Sequence, residues 1–192
     1  MKNIAIFASG TGTNAQQIIN YFANKSGVKV ALVVSNKPEA KVIDRAINAK
    51  IPVAVFTKKD FLETDKVLNS LLENKINWII LAGFLLLVPD NLIKAFPERI
   101  INIHPALLPK YGGAGMYGMK VHEAIVAAKE VETGITIHYV NEQYDKGEII
   151  FQTKCAVDLN DTAEVIAQKV HLLEHKHYPE VIEKLVSKLT IG

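Results

Sequence analysis

Hydrophobic positions in this chain change their spacing from one stretch to the next. Nearly continuous apolar runs, rich in β-branched residues, occupy Asn3–Ala8, Lys29–Val34, Val53–Phe56, Trp78–Ala82 and Ile100–Ile103, and each predicts a strand. Between them, Asn14–Ala23, Lys41–Ala49, Phe61–Glu73 and Pro89–Ala95 read as helices. Strands alternating with helices of this length imply βαβ units and a parallel sheet. A run such as Ala31-Leu32-Val33-Val34 is apolar on both of its faces, so helices are expected on both sides of the sheet.

The pattern changes after Ile103. Pro105–Gly118 holds four glycines and two prolines in 14 residues and reads as a loop. Gly134–Val140 and Glu148–Val157 are strand-like runs joined by the polar stretch Asn141–Gly147, a connection short enough to imply antiparallel pairing. A last helical region, Asp161–Leu189, opens on Asp161-Thr162-Ala163-Glu164 with capping-box spacing, and Pro179 is expected to kink or divide it. No repeat, low-complexity segment or linker interrupts the chain. The expectation is one α/β domain over residues 1–192, its sheet mostly parallel with antiparallel strands toward the C-terminal part.

Composition removes several function classes. With 49% hydrophobic and 22% charged residues among 192, a folded core is expected rather than disorder. Lys and Arg number 22 against 20 Asp and Glu, and the net charge of +2 with no basic run argues against a nucleic-acid partner. The longest apolar run, Trp78–Val88, has 11 residues, short of the roughly 18 or more of a membrane span. Cys155 is the only cysteine, so no internal disulfide forms, and with no signal-like N-terminus a cytoplasmic location is expected.

Candidate chemistry begins at Ser9-Gly10-Thr11-Gly12-Thr13-Asn14, which follows the first strand and opens the first helix. Glycines admit a ligand close to the backbone, and free amides at a helix start attract an anion, with phosphate the natural occupant. Gly10–Ala15 also fits the dinucleotide fingerprint, but the acid expected roughly 20 residues on is replaced by Val34-Ser35-Asn36-Lys37, which favours a mononucleotide-sized ligand. A tight turn capped by Asn or Thr, with no ligand, is the plain alternative. Further along, strand alternation puts Asn102 and His104 on one face at a strand's carboxyl end, where open α/β sheets carry ligands. Taken alone, His104 reads more readily as a structural histidine than as a catalyst, and Asp145 before Lys146-Gly147 as a turn residue. His171, His175 and His177 form a polar helix face without a zinc pattern, His122 needs no function, and His138 is either structural or near a ligand.

Taken together these segments resemble the folate-dependent formyltransferase family. The likeness rests on Asn102-Ile103-His104-Pro105-x-Leu107-Leu108-Pro109, on the late Asp145-x-Gly147, on Ser9-Gly10-x-Gly12-x-Asn14, on Leu81-Ala82-Gly83-Phe84 and on Glu174-His175-x-x-Tyr178-Pro179. It implies a Rossmann-like formyltransferase fold and formyl transfer from 10-formyltetrahydrofolate, as cosubstrate, to the amine of glycinamide ribonucleotide in purine synthesis. No metal, nucleic acid or membrane is implied, and a monomer or homodimer is expected. Carried over by motif, Asn102, His104 and Asp145 are catalytic: an amide donor to the oxyanion, an imidazole that supplies charge or a proton, and a carboxylate that orients it. Gly12, Thr13 and Asn14 hold the phosphate of the ribonucleotide. His171, Leu172, Leu173 and Glu174 close over that substrate, with Glu174 on the ribose hydroxyls. Leu85, Leu86, Leu87 and Val88 with Asn102 and the loop Asn141, Glu142, Gln143, Tyr144 and Asp145 form the folate site.

The chain departs from the family at three places. Leu85-Leu86 stands where Met-Arg is frequent, Asp60–Leu68 lacks an arginine, and Tyr111–Gly118 is longer and richer in glycine than the usual Tyr-Pro-Gly loop. A hydrolase releasing formate from the same folate and a nucleotide-binding module without catalysis are the competing readings.

Overall fold

The computed structural model describes residues 1–188, so the expected helix end at Leu189 lies outside the described residues. Strands β1 (Lys2–Phe7), β2 (Val28–Ser35), β3 (Val53–Val55), β4 (Ile76–Leu81), β5 (Ile100–His104), β6 (Glu132–Tyr139) and β7 (Ile149–Ala156) form one seven-stranded sheet in the order β3-β2-β1-β4-β5-β6-β7. The first five are parallel, and β6 and β7 run antiparallel to their neighbours. Helices α1 (Thr13–Phe22), α2 (Val42–Asn48), α3 (Lys58–Glu63), α4 (Lys66–Glu73), α5 (Asp90–Ala95), α6 (Met119–Ala127) and α7 (Ala163–Lys188) complete the chain.

The period-2 alternation of the central strand sorts the core into two halves. Ile4 and Ile6 face one cluster with Ile18 of α1, Val42 of α2, Val121 of α6 and Ile166 and Val170 of α7. Ala5 and Phe7 face the other with Phe61 of α3, Leu71 of α4 and Leu92 of α5. Helices therefore cover both faces, as the all-apolar strands required. On the second face Phe7, Phe61 and Phe84 form a triangle with ring centroids 5.2–5.9 Å apart, a rigid floor beneath the segment that follows β4.

Two expectations are corrected. Phe61–Glu73 is two helices, because Thr57 and Asp60 form a reciprocal cap that starts α3 at Lys58 and Thr64 and Asp65 interrupt it before α4. The last helix is not divided: α7 runs 26 residues through Pro179. Its first turn is capped by Thr162, whose Oγ1 accepts from the Val165 amide at 3.4 Å, while Asp161 binds Lys169 at 2.6 Å.

The strand order reverses beside β1, whose neighbours are β2 and β4. Chain segments leaving the carboxyl ends of β1 and β4 diverge there and open a crevice, the usual ligand position of an open α/β sheet.

Candidate active site

One cleft of about 470 Å³ occupies that crevice. Its lining runs from the turn Gly10–Asn14 through Leu81–Val88, Asn102–Pro105 and Gly113–Gly118 to Asp145, His171 and Glu174.

At one end lies the turn after β1. Gly12 has φ +70°, and its left-handed backbone brings the chain against Val42 and starts α1 with no side-chain cap. The expected Asn or Thr cap is therefore absent, and the first turn of this ten-residue helix belongs to the cleft lining. Arg45 steadies the turn by donating from Nε to the Thr11 carbonyl at 2.7 Å. The Asn14 amide turns instead to α7 and donates to Glu174 Oε2 at 3.0 Å, while Asn14 Oδ1 is buried with no partner. Glu174 is 5% exposed, and burial pushes its carboxyl above the usual range against the smaller opposing effects of Asn14 and His171.

The middle of the cleft is built on β5 and β6. His104 sits at the end of β5, and its Nε2 donates to the Tyr111 carbonyl at 2.7 Å while Nδ1 stands 3.5 Å from Asp145 Oδ2. Both ring nitrogens thus face acceptors. Burial lowers the pKa of His104 and outweighs the upward pull of Asp145 and the Tyr111 carbonyl, so the ring titrates below its usual range. For Asp145, burial acts upward, but His138, His104 and the Gly113 amide together hold the carboxyl below its usual range. That amide donates to Asp145 Oδ2 at 2.8 Å.

Asn102 is the register partner of His138 across the antiparallel β5–β6 pair. His138 Nδ1 donates to the Tyr139 carbonyl at 2.8 Å, which leaves Nε2 to accept from the Asn102 amide at 3.2 Å. The same Nε2 lies 3.5 Å from Asp145 Oδ1. Asn102, His104, His138 and Asp145 therefore form one constellation, although 43 residues separate the first from the last. Sequence reasoning left His138 undecided. Its alternation with apolar residues marks a core-facing strand position, and only the pairing register brings it to Asn102.

The far end is apolar. Leu85, Leu86, Leu87 and Val88 line it, with Val140, Asn141, Gln143 and Tyr144 opposite. Ser9 ties this segment to β1, accepting from the Leu85 amide at 3.0 Å and donating to Asn36 at 2.6 Å. Cys155 lies outside the cleft lining, and burial pushes its thiol up, away from a reactive thiolate.

Three expected site residues are not brought to the cleft. Leu172 is 70% exposed, and Leu173 packs against the core. Helical period explains both: residues three apart share a face, so His171 and Glu174 line the cleft and the two leucines between them do not. Glu142 is exposed and outside the lining, its neighbours in the loop facing inward. In the other direction, the glycine-rich loop Gly113–Gly118 and His122 of α6 are walls that the sequence reading did not include.

Comparison with known proteins shows the family to which the chain belongs. The formyl transferase family matches residues 2–182. A phosphoribosylglycinamide formyltransferase of Bacillus subtilis is 39% identical over 191 residues, 97% of this chain and 95% of the relative. A chloroplastic phosphoribosylglycinamide formyltransferase of Arabidopsis thaliana is 42% identical over 187 residues, and the chain spans 64% of that relative's length. The crystal structure of a phosphoribosylglycinamide formyltransferase from Bacillus halodurans superposes with a TM-score of 0.87 at 38% identity, covering 98% of this chain and 97% of that one.

Proposed function

We propose that this chain, which belongs to the formyl transferase family, moves the formyl group of 10-formyltetrahydrofolate onto the amine of glycinamide ribonucleotide, a step of purine synthesis. The observation that carries the reading is the place of Asn102, His104, His138 and Asp145: midway along one cleft, between an uncapped helix start and an apolar wall. The uncapped turn at Gly12, Thr13 and Asn14 suits a phosphate, and Glu174, already oriented by Asn14, suits the ribose hydroxyls. Leu85–Val88 suit the flat ring of the folate, whose polar edge would meet backbone groups.

The chemistry then follows from the groups in the middle. The substrate amine attacks the formyl carbon and a tetrahedral oxyanion forms. Asn102 keeps one amide proton on His138 and has the second free to donate to that oxyanion. His104 is held neutral by burial in the free protein, and its ring is placed so that both nitrogens meet acceptors once it is charged. A proton leaving the attacking amine is received on His104 Nδ1, the nitrogen that carries none and stands beside Asp145, and it returns to the folate nitrogen as the C–N bond breaks. No covalent bond to the protein is required. Asp145, ionised and anchored by the Gly113 amide, stabilises the charged ring. The same reading takes small molecules as partners, with no metal, and places the protein in the cytoplasm.

The deciding experiment supplies glycinamide ribonucleotide and 10-formyltetrahydrofolate and follows both products. Formylated ribonucleotide appearing in step with tetrahydrofolate supports the reading. Formate released at the same rate without the ribonucleotide overturns it in favour of a hydrolase, and binding without turnover overturns it in favour of a nucleotide-binding module.

A further inference from the structure

We infer that His122 reads the glycinamide part of the ribonucleotide, its imidazole N–H donating to the amide carbonyl oxygen that lies between the attacking amine and the ribose. The inference rests on the substrate assigned above. His122 is on α6, only 2% exposed, and its ring lines the cleft. Its Nδ1 is sealed from solvent and meets no hydrogen-bond partner. Nε2 likewise meets no protein partner among the described residues; buried polar groups are partnered in the great majority of cases, so the nitrogen of this ring that can still be reached is left for the ligand.

The tautomer follows from the same fact. A buried N–H without an acceptor is rarer than a buried acceptor without a donor, so the proton sits on Nε2. With Nδ1 sealed, Nε2 is also the nitrogen left to meet a bound molecule, and it presents a donor. A ligand acceptor is therefore required.

Position selects which acceptor. The ring lies within the electrostatic reach of His171, at the ribose end, and of His104, at the reacting end. Burial, and after it the two neighbouring imidazoles, press its pKa down to about 4, so the ring is neutral near neutral pH. A neutral donor between the two ends suits a neutral carbonyl better than a phosphate. The glycinamide carbonyl is the substrate's acceptor in that interval.

Two ligands and two variants test this. In the wild type, the His122→Phe variant and the His122→Gln variant, titration with glycinamide ribonucleotide is compared with titration using ribose 5-phosphate, which lacks the glycinamide. The expected result is about tenfold weaker binding of the ribonucleotide in His122→Phe, unchanged binding of ribose 5-phosphate, and partial recovery in His122→Gln, which keeps an N–H donor. The KM for 10-formyltetrahydrofolate stays the same. The melting temperature of unliganded His122→Phe is not lowered, because the apolar ring removes an unmatched polar atom without leaving a cavity. Equal weakening for both ligands, no weakening, a lowered melting temperature, or a Gln variant no better than Phe each overturns the inference. Wild-type protein that fails to formylate the ribonucleotide overturns the function proposed above and this inference with it. An active wild type beside an indifferent His122→Phe overturns this inference alone.

Discussion

The Asn102 amide nitrogen stands 3.2 Å from Nε2 of His138, directly across the β5–β6 pairing. Because the Tyr139 carbonyl takes the proton on Nδ1, the facing nitrogen is an acceptor, and it decides which end of the Asn102 amide points into the cleft. His138→Phe removes that acceptor and frees the amide to turn its oxygen toward the oxyanion. We expect kcat to fall about 10- to 100-fold with little change in either KM, and His138→Gln to recover part of the loss. Steady-state kinetics check this, and an unchanged kcat in His138→Phe separates His138 from the chemistry.

Removing Asn102 or His104 should have a larger effect. Asn102→Ala and His104→Ala should each lower turnover by about 100- to 1000-fold while far-UV circular dichroism stays native. Near-wild-type turnover in a folded His104→Ala protein would remove the imidazole from the proposed mechanism.

On the proposed function, Glu174 should give ribonucleotide binding a pH dependence. Burial raises its carboxyl above the usual range, so it takes up a proton at a higher pH than an exposed glutamate does. In the proposed complex the anion would accept hydrogen bonds from both ribose hydroxyls, and the protonated form would accept fewer. The Kd for the ribonucleotide should therefore rise as pH falls from neutral toward the ordinary carboxylate range. Glu174→Gln should bind weakly and lose most of that slope. A parallel slope in the variant would assign the dependence to another group.

Stability has its own pH dependence. His104 and His122 are both held below the ordinary histidine value of 6.5, His122 down to about 4. Between those limits the unfolded chain binds protons that the folded chain does not, so their contribution to stability is lost as pH falls. Glu174 acts in the opposite sense, because its raised pKa lets the folded chain take a proton first. His122→Phe removes one histidine from this balance. Its unfolding free energy should decline less steeply from pH 6.5 to about 4 than that of the wild type, the ceiling for one proton being about 1.4 kcal/mol per pH unit. Urea titrations across that range read the difference, and identical slopes would show that His122 does not titrate there.

Gly12 tests the turn. A Cβ there would lie 2.6 Å from Cβ and Cγ2 of Val42 and 2.9 Å from its Cα, on a backbone with φ +70°. Gly12→Ala should cost about 1–3 kcal/mol of stability and weaken the ribonucleotide while leaving folate binding intact. Equal affinity in wild type and variant would take the phosphate away from this turn.

Much of this was legible in the sequence for one physical reason: strand and helix periods are local. The five parallel strands, the late antiparallel pair and the loop Pro105–Gly118 follow from hydrophobic spacing and from glycine and proline, each set by neighbours in the chain. The helix break at Thr64 and Asp65 was not legible, because the reciprocal cap of Thr57 and Asp60 competes with a continuous helical pattern. Pro179 does not divide α7, and Tyr178, Ile182 and Val186 on either side of it pack into the core.

By itself the sequence determined which chemical groups this protein owns, in what order, and on which kind of element each one sits. It placed Asn102 and His104 on one strand face and Gly12–Asn14 at a helix start, because those relations span a few residues. What only the tertiary structure decided are the distances between groups far apart in the chain: Asp145 against His104, Asn14 against Glu174, His138 beneath Asn102, and His122 in the wall with a nitrogen unmatched. Those depend on pairing register and on which helix covers which face, and both are fixed by burying the whole apolar surface at once rather than by any stretch of chain alone.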